Sequence, residues 1–97
     1  MAPNTEPVIG ATERTFEIVE LVDELGVARV SEVAEEIDIP TSTAHGYFQS
    51  LTQLGYLQRT SEGYRLGIRF LGLGESARRD RELYHLAQHE IDRLAED

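Results

Sequence analysis

Between Pro40 and Gly55 the chain reads PTSTAHGYFQSLTQLG, and this stretch leaves few ways to fold. At roughly 100° per residue, Ala44, Phe48 and Leu51 fall within about 60° of one another, one narrow stripe that must face a core. Pro40 suits the first helical position, where its missing N–H costs nothing. The helix runs to about Leu54, and Gly55 ends it. Opposite the stripe stand Ser42, Gly46, Gln49 and Gln53, with Thr41 and His45 on one shoulder and Thr43 and Tyr47 on the other. No Lys, Arg, Asp or Glu occurs anywhere in the stretch.

The flanks supply what such a helix packs against. Thr12 is placed to cap a helix reaching Leu25 before Gly26, with Phe16, Val19, Val22 and Leu25 as its stripe and Ile18 and Leu21 on the shoulder. "VARV" is a short extended link. Ser31 caps a second helix over about Glu32 to Ile37, burying Val33, Ala34 and Ile37 while Glu32, Glu35 and Glu36 face water. "DIP" turns into the third helix. After it, two extended runs, 56–60 and 64–67, flank "SEG", the pattern of a hairpin. "IRFLGLGESA" reads as a further helical piece weakened by two Gly, and Asp80 caps a last helix over about Arg81 to Ala95 with Leu83, Leu86, Ala87, Ile91 and Leu94 inward.

The expected fold is therefore mainly α with a small β-hairpin, a winged helix-turn-helix followed by C-terminal linker and dimerisation helices. Residues 1–10 form a flexible tail, 11–67 the winged helix-turn-helix, and 68–97 the linker and dimerisation helices. In 97 residues the last stripe has little else to bury against, so a homodimer contact made with helix one and residues 68–77 is expected.

Charge divides the chain in the same places. The formal net charge is −9, all nine basic residues are Arg, and Lys is absent. Residues 1–38 hold ten acids against two Arg, and 75–97 hold seven acids against four Arg. Residues 39–74 hold Glu62 alone against Arg59, Arg65 and Arg69. A segment kept free of acid inside an acidic chain points to a negatively charged partner. Acidic residues in place of Lys point to cytosol at molar salt, where repulsion between carboxylates is screened within about 3 Å. A halophilic source, archaeal, is expected.

The face opposite the stripe can donate and accept hydrogen bonds without carrying charge. Gln pairs with adenine, Ser and Thr with several bases, and a Thr methyl meets the thymine methyl. The free N–H groups at the helix start suit a phosphate. These residues predict a reading helix over 40–54 in the major groove of double-stranded DNA, with Ser42, His45, Gly46, Tyr47 and Gln49 at the bases. Thr41, Thr43, Arg59, Arg65 and Arg69 hold the sugar-phosphate backbone or the minor groove, an Arg fork gripping phosphate bidentately.

Ser31-Glu32-Val33-Ala34, Ile39-Pro40-x-Ser42-Thr43-x-His45, Leu54-Gly55-Tyr56-Leu57 and Tyr64-Arg65-Leu66-Gly67, in this order and spacing, resemble the N-terminal DNA-binding domain of the IclR family of transcriptional regulators. The similarity covers roughly residues 12–97. It implies a winged helix-turn-helix that dimerises on an operator. Family members usually continue into a larger C-terminal domain that binds a small-molecule effector; this chain stops at "RLAED", about where that domain would begin, so the resemblance implies either an excised fragment or a naturally short member, with no effector pocket of its own in both cases. Family members commonly carry a basic residue at the positions of Thr41 and Gly46. Here both charges are missing, which moves the phosphate contacts to Arg59, Arg65 and Arg69.

Other chemistry finds little support. There is no Cys, hence no disulfide, thiol nucleophile or Cys-based metal site. His85 and His89 stand at i, i+4, but no further ligand converges on them, and no metal or cofactor is expected. No phosphate loop or nucleophile motif occurs, so an enzyme is not expected. "MAPNTEPVIGATE" lacks the basic and apolar parts of a signal peptide, and no apolar run approaches a bilayer span, so a cytoplasmic location is expected. Two competing readings use other surfaces. One is a protein-interaction module whose acidic faces dock a basic partner while the DNA face is vestigial. The other, an RNA-binding winged helix, lacks a platform of clustered exposed aromatics.

Overall fold

The computed structural model describes residues 6–96. The order of elements is α1 (Gly10–Leu25), α2 (Val30–Glu36), α3 (Thr41–Leu54), β1 (Leu57–Thr60), β2 (Gly63–Leu66) and α4 (Ile68–Glu96). They form two compact units, one reaching Gly67 and one starting at Ile68. The mainly helical chain with one antiparallel hairpin is the expected fold class.

In the first unit the core gathers one stripe from each helix. Ile18, Val22, Val33 and Phe48 are its largest fully buried side chains, joined by Val19, Ala34, Ala44, Leu51 and Leu57. Phe48 meets Tyr64 of the hairpin edge-on, with ring centroids 4.9 Å apart. Ala44, Phe48 and Leu51 thus occupy the buried face that their spacing predicts. On α1 the stripe is rotated from its expected setting. Ile18, one of the two shoulder residues, is fully buried with Val19 and Val22, whereas Phe16 and Leu25 are 53% and 46% exposed. Periodicity locates an apolar sector, and the neighbours α2 and β2 decide which edge of that sector they cover.

Two helices start earlier than their hydroxyl residues suggest. α1 begins at Gly10, with Glu13 N–H donating to Ile9 O at 3.0 Å, so Thr12 lies inside the first turn. α2 begins at Val30, and Ser31 is likewise interior. Its entry is held instead by the Glu32 carboxylate, which accepts from Arg29 N–H at 2.8 Å. The turn between α2 and α3 passes through Asp38 at φ 55, the one non-glycine residue with positive φ among those described. Ile39 N–H then returns to Ala34 O at 3.0 Å. Pro40 is the residue before the α3 helix, with Thr41 its first helical residue. Gly55 closes α3 in the left-handed region at φ 91, while Tyr56 N–H reaches back to Leu51 O at 2.8 Å.

The hairpin pairs Leu57 with Leu66, Gln58 with Arg65, Arg59 with Tyr64 and Thr60 with Gly63. Only Ser61 and Glu62 form its loop. The Thr60 hydroxyl accepts from Glu62 N–H and Gly63 N–H, both at 3.2 Å, and donates to Gly63 O at 3.0 Å. The link "VARV" also joins this sheet. Ala28 and Tyr64 exchange both backbone bonds, at 2.7 and 2.8 Å, so β2 is flanked on both sides. This is why residue 63 is Gly: a Cβ there would stand 2.6 Å from Ala28 O, and φ is 150.

The second unit is one helix of 29 residues, not the two expected pieces. Gly72 and Gly74 each cost about 1 kcal/mol against Ala, which weakens a helix without breaking it. Asp80 is interior and caps nothing. Arg78 reaches Glu75 at 2.6 Å and Glu82 at 4.0 Å, pairs that carry helical spacing across the expected break, and Arg93 reaches Glu90 at 2.7 Å further along. Every side chain from Leu71 to Ala95 is exposed. The tail expected over 1–10 falls partly outside the described residues, and Gly10 is already helical.

Candidate nucleic-acid interface

The burial of Ala44, Phe48 and Leu51 turns the rest of α3 outward. Thr41, Ser42, Thr43, His45, Gly46, Gln49 and Ser50 are exposed and Tyr47 is half-buried. No side chain caps the amino end of α3, so the N–H groups of Thr41, Ser42 and Thr43 lack an intrahelical acceptor, and the first helical bond runs from Ala44 to Pro40 O at 3.0 Å. Those N–H groups and the helix dipole make a weakly positive end beside three hydroxyls. The acid-free residues 39–61 comprise the whole of α3 and β1.

Position 46 is open: a Cβ built there meets nothing within 4 Å. A shallow depression lies at this place, lined by Thr43, Gly46, Tyr47 and Ser50. Ser50 belongs to this surface although residue type alone does not single it out; its place at i+7 from Thr43 was the available signal.

On the wing, the register separates two residues that the sequence places together near the tip. Side chains directly opposite share a face, and successive ones alternate. Arg59 therefore lies on the side of Leu57 and Tyr64, and Arg65 on the other side with Gln58. Gln58 is a further contributor: its Oε1 accepts from Arg65 Nε at 3.1 Å, which orients the guanidinium. Neither Arg59 nor Arg65 has a carboxylate within 4 Å among the described residues, so Glu62 does not neutralise them. Arg69, exposed in the first turn of α4, belongs to the second unit.

Residues 11–61 match the IclR helix-turn-helix domain, more than half of the chain and all three helices of the first unit. The chain belongs to the IclR family. It is similar to a probable HTH-type transcriptional regulator, ArcR, of Halobacterium salinarum, with 33% identity over 96 residues. That alignment covers 97% of this chain and 36% of the relative, so the chain spans about a third of the relative's length. Among solved structures it resembles the IclR protein of Thermotoga maritima, with a TM-score of 0.65, 27% identity, and coverage of 71% of this chain and 29% of that one. It also resembles HmgR of Pseudomonas aeruginosa, with a TM-score of 0.64, 28% identity, and coverage of 71% and 31%. Residues 11–61 are thus an IclR helix-turn-helix domain, with α2 and α3 as the two helices and the hairpin β1–β2 as a wing.

His85 and His89 are both exposed on α4, and His85 lies edge-on to Tyr84 at 5.8 Å. Among the described residues no three His, Asp or Glu side chains are grouped as metal ligands. Among the described residues no helix is long and apolar enough to cross a membrane.

Proposed function

We propose that this IclR-family domain binds double-stranded DNA sequence-specifically as a homodimer to regulate transcription, in cytoplasm at molar salt. α3 enters the major groove, with Ser42, His45, Gly46, Tyr47 and Gln49 facing base edges. Thr41 and Thr43 stand at the phosphates with the open N–H groups of the helix start. Arg59 and Arg65 of the wing, and Arg69 beyond it, hold the backbone or the minor groove. The supporting observation is the exposed, hydrogen-bonding, uncharged face of α3, set in a segment from which acids are missing. At molar salt counterion release contributes little affinity, so the reading helix gains little from positive charge and needs only to avoid repulsion. The homodimer reading rests on α4, where Leu71, Leu83, Leu86, Ile91 and Leu94 are all more than half exposed.

The protein-interaction reading draws on the exposed acidic faces of α1, α2 and α4, which would dock a basic partner while the DNA face is vestigial. Selection from a random duplex library in molar potassium chloride separates the two. We expect one enriched motif, an inverted repeat with half-sites about 10 base pairs apart. His45→Ala should relax preference at one position of each half-site by about 1 kcal/mol. Absence of any enriched motif sinks the DNA reading and leaves the interaction module. A motif without an inverted repeat sinks the homodimer, and unchanged preference in His45→Ala moves the reading face away from His45.

A further inference from the structure

The tip of the wing decides what the wing can do at DNA. The hairpin turns over two residues, Ser61 and Glu62, beyond the closing pair Thr60 and Gly63. An undistorted minor groove is about 6 Å wide and, unlike the major groove at about 12 Å, does not admit a two-stranded ribbon, so only side chains at the tip can enter it. Gly63 has no side chain. The Thr60 hydroxyl is engaged within the turn, accepting from Glu62 N–H and Gly63 N–H and donating to Gly63 O. That leaves Ser61 and Glu62, both exposed. Glu62 is the single acid of residues 39–74. Among the described residues no Arg or His comes within 4 Å of its carboxylate, so its charge is not neutralised.

A carboxylate is the wrong group for that groove. The floor carries only acceptors at A·T pairs, and the guanine 2-amino group is the one donor elsewhere. Narrow A·T minor grooves concentrate negative potential, which draws in cations and not anions. A carboxylate placed there loses its hydration and gains no donor, a cost that salt does not screen away. The cations of the ribbon stand behind the tip. Arg59 precedes the closing pair on the face of Tyr64, the ring that meets Phe48 of α3. Arg65 stands on the other face, and its Nε donates to Gln58 Oε1 at 3.1 Å, which leaves both Nη groups for a phosphate. We propose that Glu62 bars the wing from the minor groove, so that the wing lies on the sugar-phosphate backbone and contributes grip without reading sequence.

This rests on the DNA-reading proposal, and the test keeps the two apart. In the duplex enriched from the random library, each guanine is replaced in turn by inosine and each adenine by 2,6-diaminopurine. These replacements remove or add one amino group in the minor groove and keep the major-groove face that α3 reads. Binding in molar potassium chloride is measured for wild type, Glu62→Arg and Glu62→Gln. The bonds of the turn come from the backbone and from Thr60, so neither substitution removes a contact that holds the hairpin, and helical content with thermal midpoint checks folding. We expect no replacement to change wild-type binding by as much as two-fold. Glu62→Arg should bind more tightly and acquire at least one position where diaminopurine weakens binding about five-fold, the size of one unfavourable base pair. A two-fold or larger dependence in wild type overturns the inference while the DNA reading stands. If that dependence is on a guanine amino group and Glu62→Gln abolishes it, Glu62 reads the groove instead of avoiding it. A Glu62→Arg variant that acquires no such position also overturns the inference, since something other than the carboxylate then keeps the tip out. If no duplex is enriched, both proposals fall.

Discussion

Asp38 shows how much of this domain hangs on one exposed residue. Its side chain lies in water, but its backbone sits at φ 55 in the turn that sets α2 against α3. The left-handed region costs an ordinary L-residue roughly 1 to 2 kcal/mol, less for Asp or Asn and nothing for Gly. Asp38→Val should therefore destabilise by about 1 kcal/mol or more, whereas Asp38→Gly should stay within about 0.5 kcal/mol of wild type. Urea unfolding midpoints check this, and equal losses in both variants would show that the carboxylate, not the backbone, is what matters. Pro40 and Gly55 are the same kind of residue, read easily because the backbone requirement is written in residue type. The requirement at Asp38 is not, since Asp is also an ordinary turn residue.

In the proposed binding the elements divide the work. α3 offers hydrogen-bonding groups and an uncapped amino end, and the wing offers Arg59 and Arg65. Because the two Arg lie on opposite faces of the ribbon, they cannot both grip the same stretch of backbone. Each of Arg59→Ala and Arg65→Ala should weaken binding uniformly across sequences and lower the slope of log K against log[KCl] by about 1. Gln58 orients Arg65 through its 3.1 Å bond. A change in base preference, instead of a uniform loss, would reassign that Arg from backbone to base. The paired Arg were legible as the only cations near the wing; their separation to two faces was not, because a register slip of one residue reverses every side chain.

At the scale of the whole molecule, charge is the governing quantity. The formal charge of −9 resides mainly outside the residues that build α3 and the wing. Glu24, Glu32 and Glu36 even line one groove between α1 and α2, together with Leu21 and Leu25. Such repulsion reaches about 10 Å at 0.1 M salt and about 3 Å at 1 M. The thermal midpoint should rise as potassium chloride goes from 0.1 to 2 M, and the rise should be smaller in Glu24→Gln/Glu36→Gln. The same dependence in wild type and variant would place the salt effect elsewhere. The uncovered apolar side chains of α4 are the other molecular-scale feature. Their spacing already marks an amphipathic helix, while whether a neighbour covers them is a property that one helix cannot encode.

By itself the sequence determined the three-helix order, the buried stripe of α3, the polar face opposite, the hairpin and the family. Each of these is a local pattern: helical period, punctuation by Pro40 and Gly55, and motif spacing. Tertiary structure decided what depends on two segments at once. It chose Ile18 over Phe16 for the core, because α2 and β2 cover one edge of the α1 stripe. It joined Ala28 to Tyr64 across 36 positions, and so explained Gly63. It ran α4 through Gly72 and Gly74 and past Asp80, since a helix break needs a competing structure and neither glycine nor a capping residue supplies one alone. It also left Gly46 on the outward face of α3, where a side chain would meet only open space.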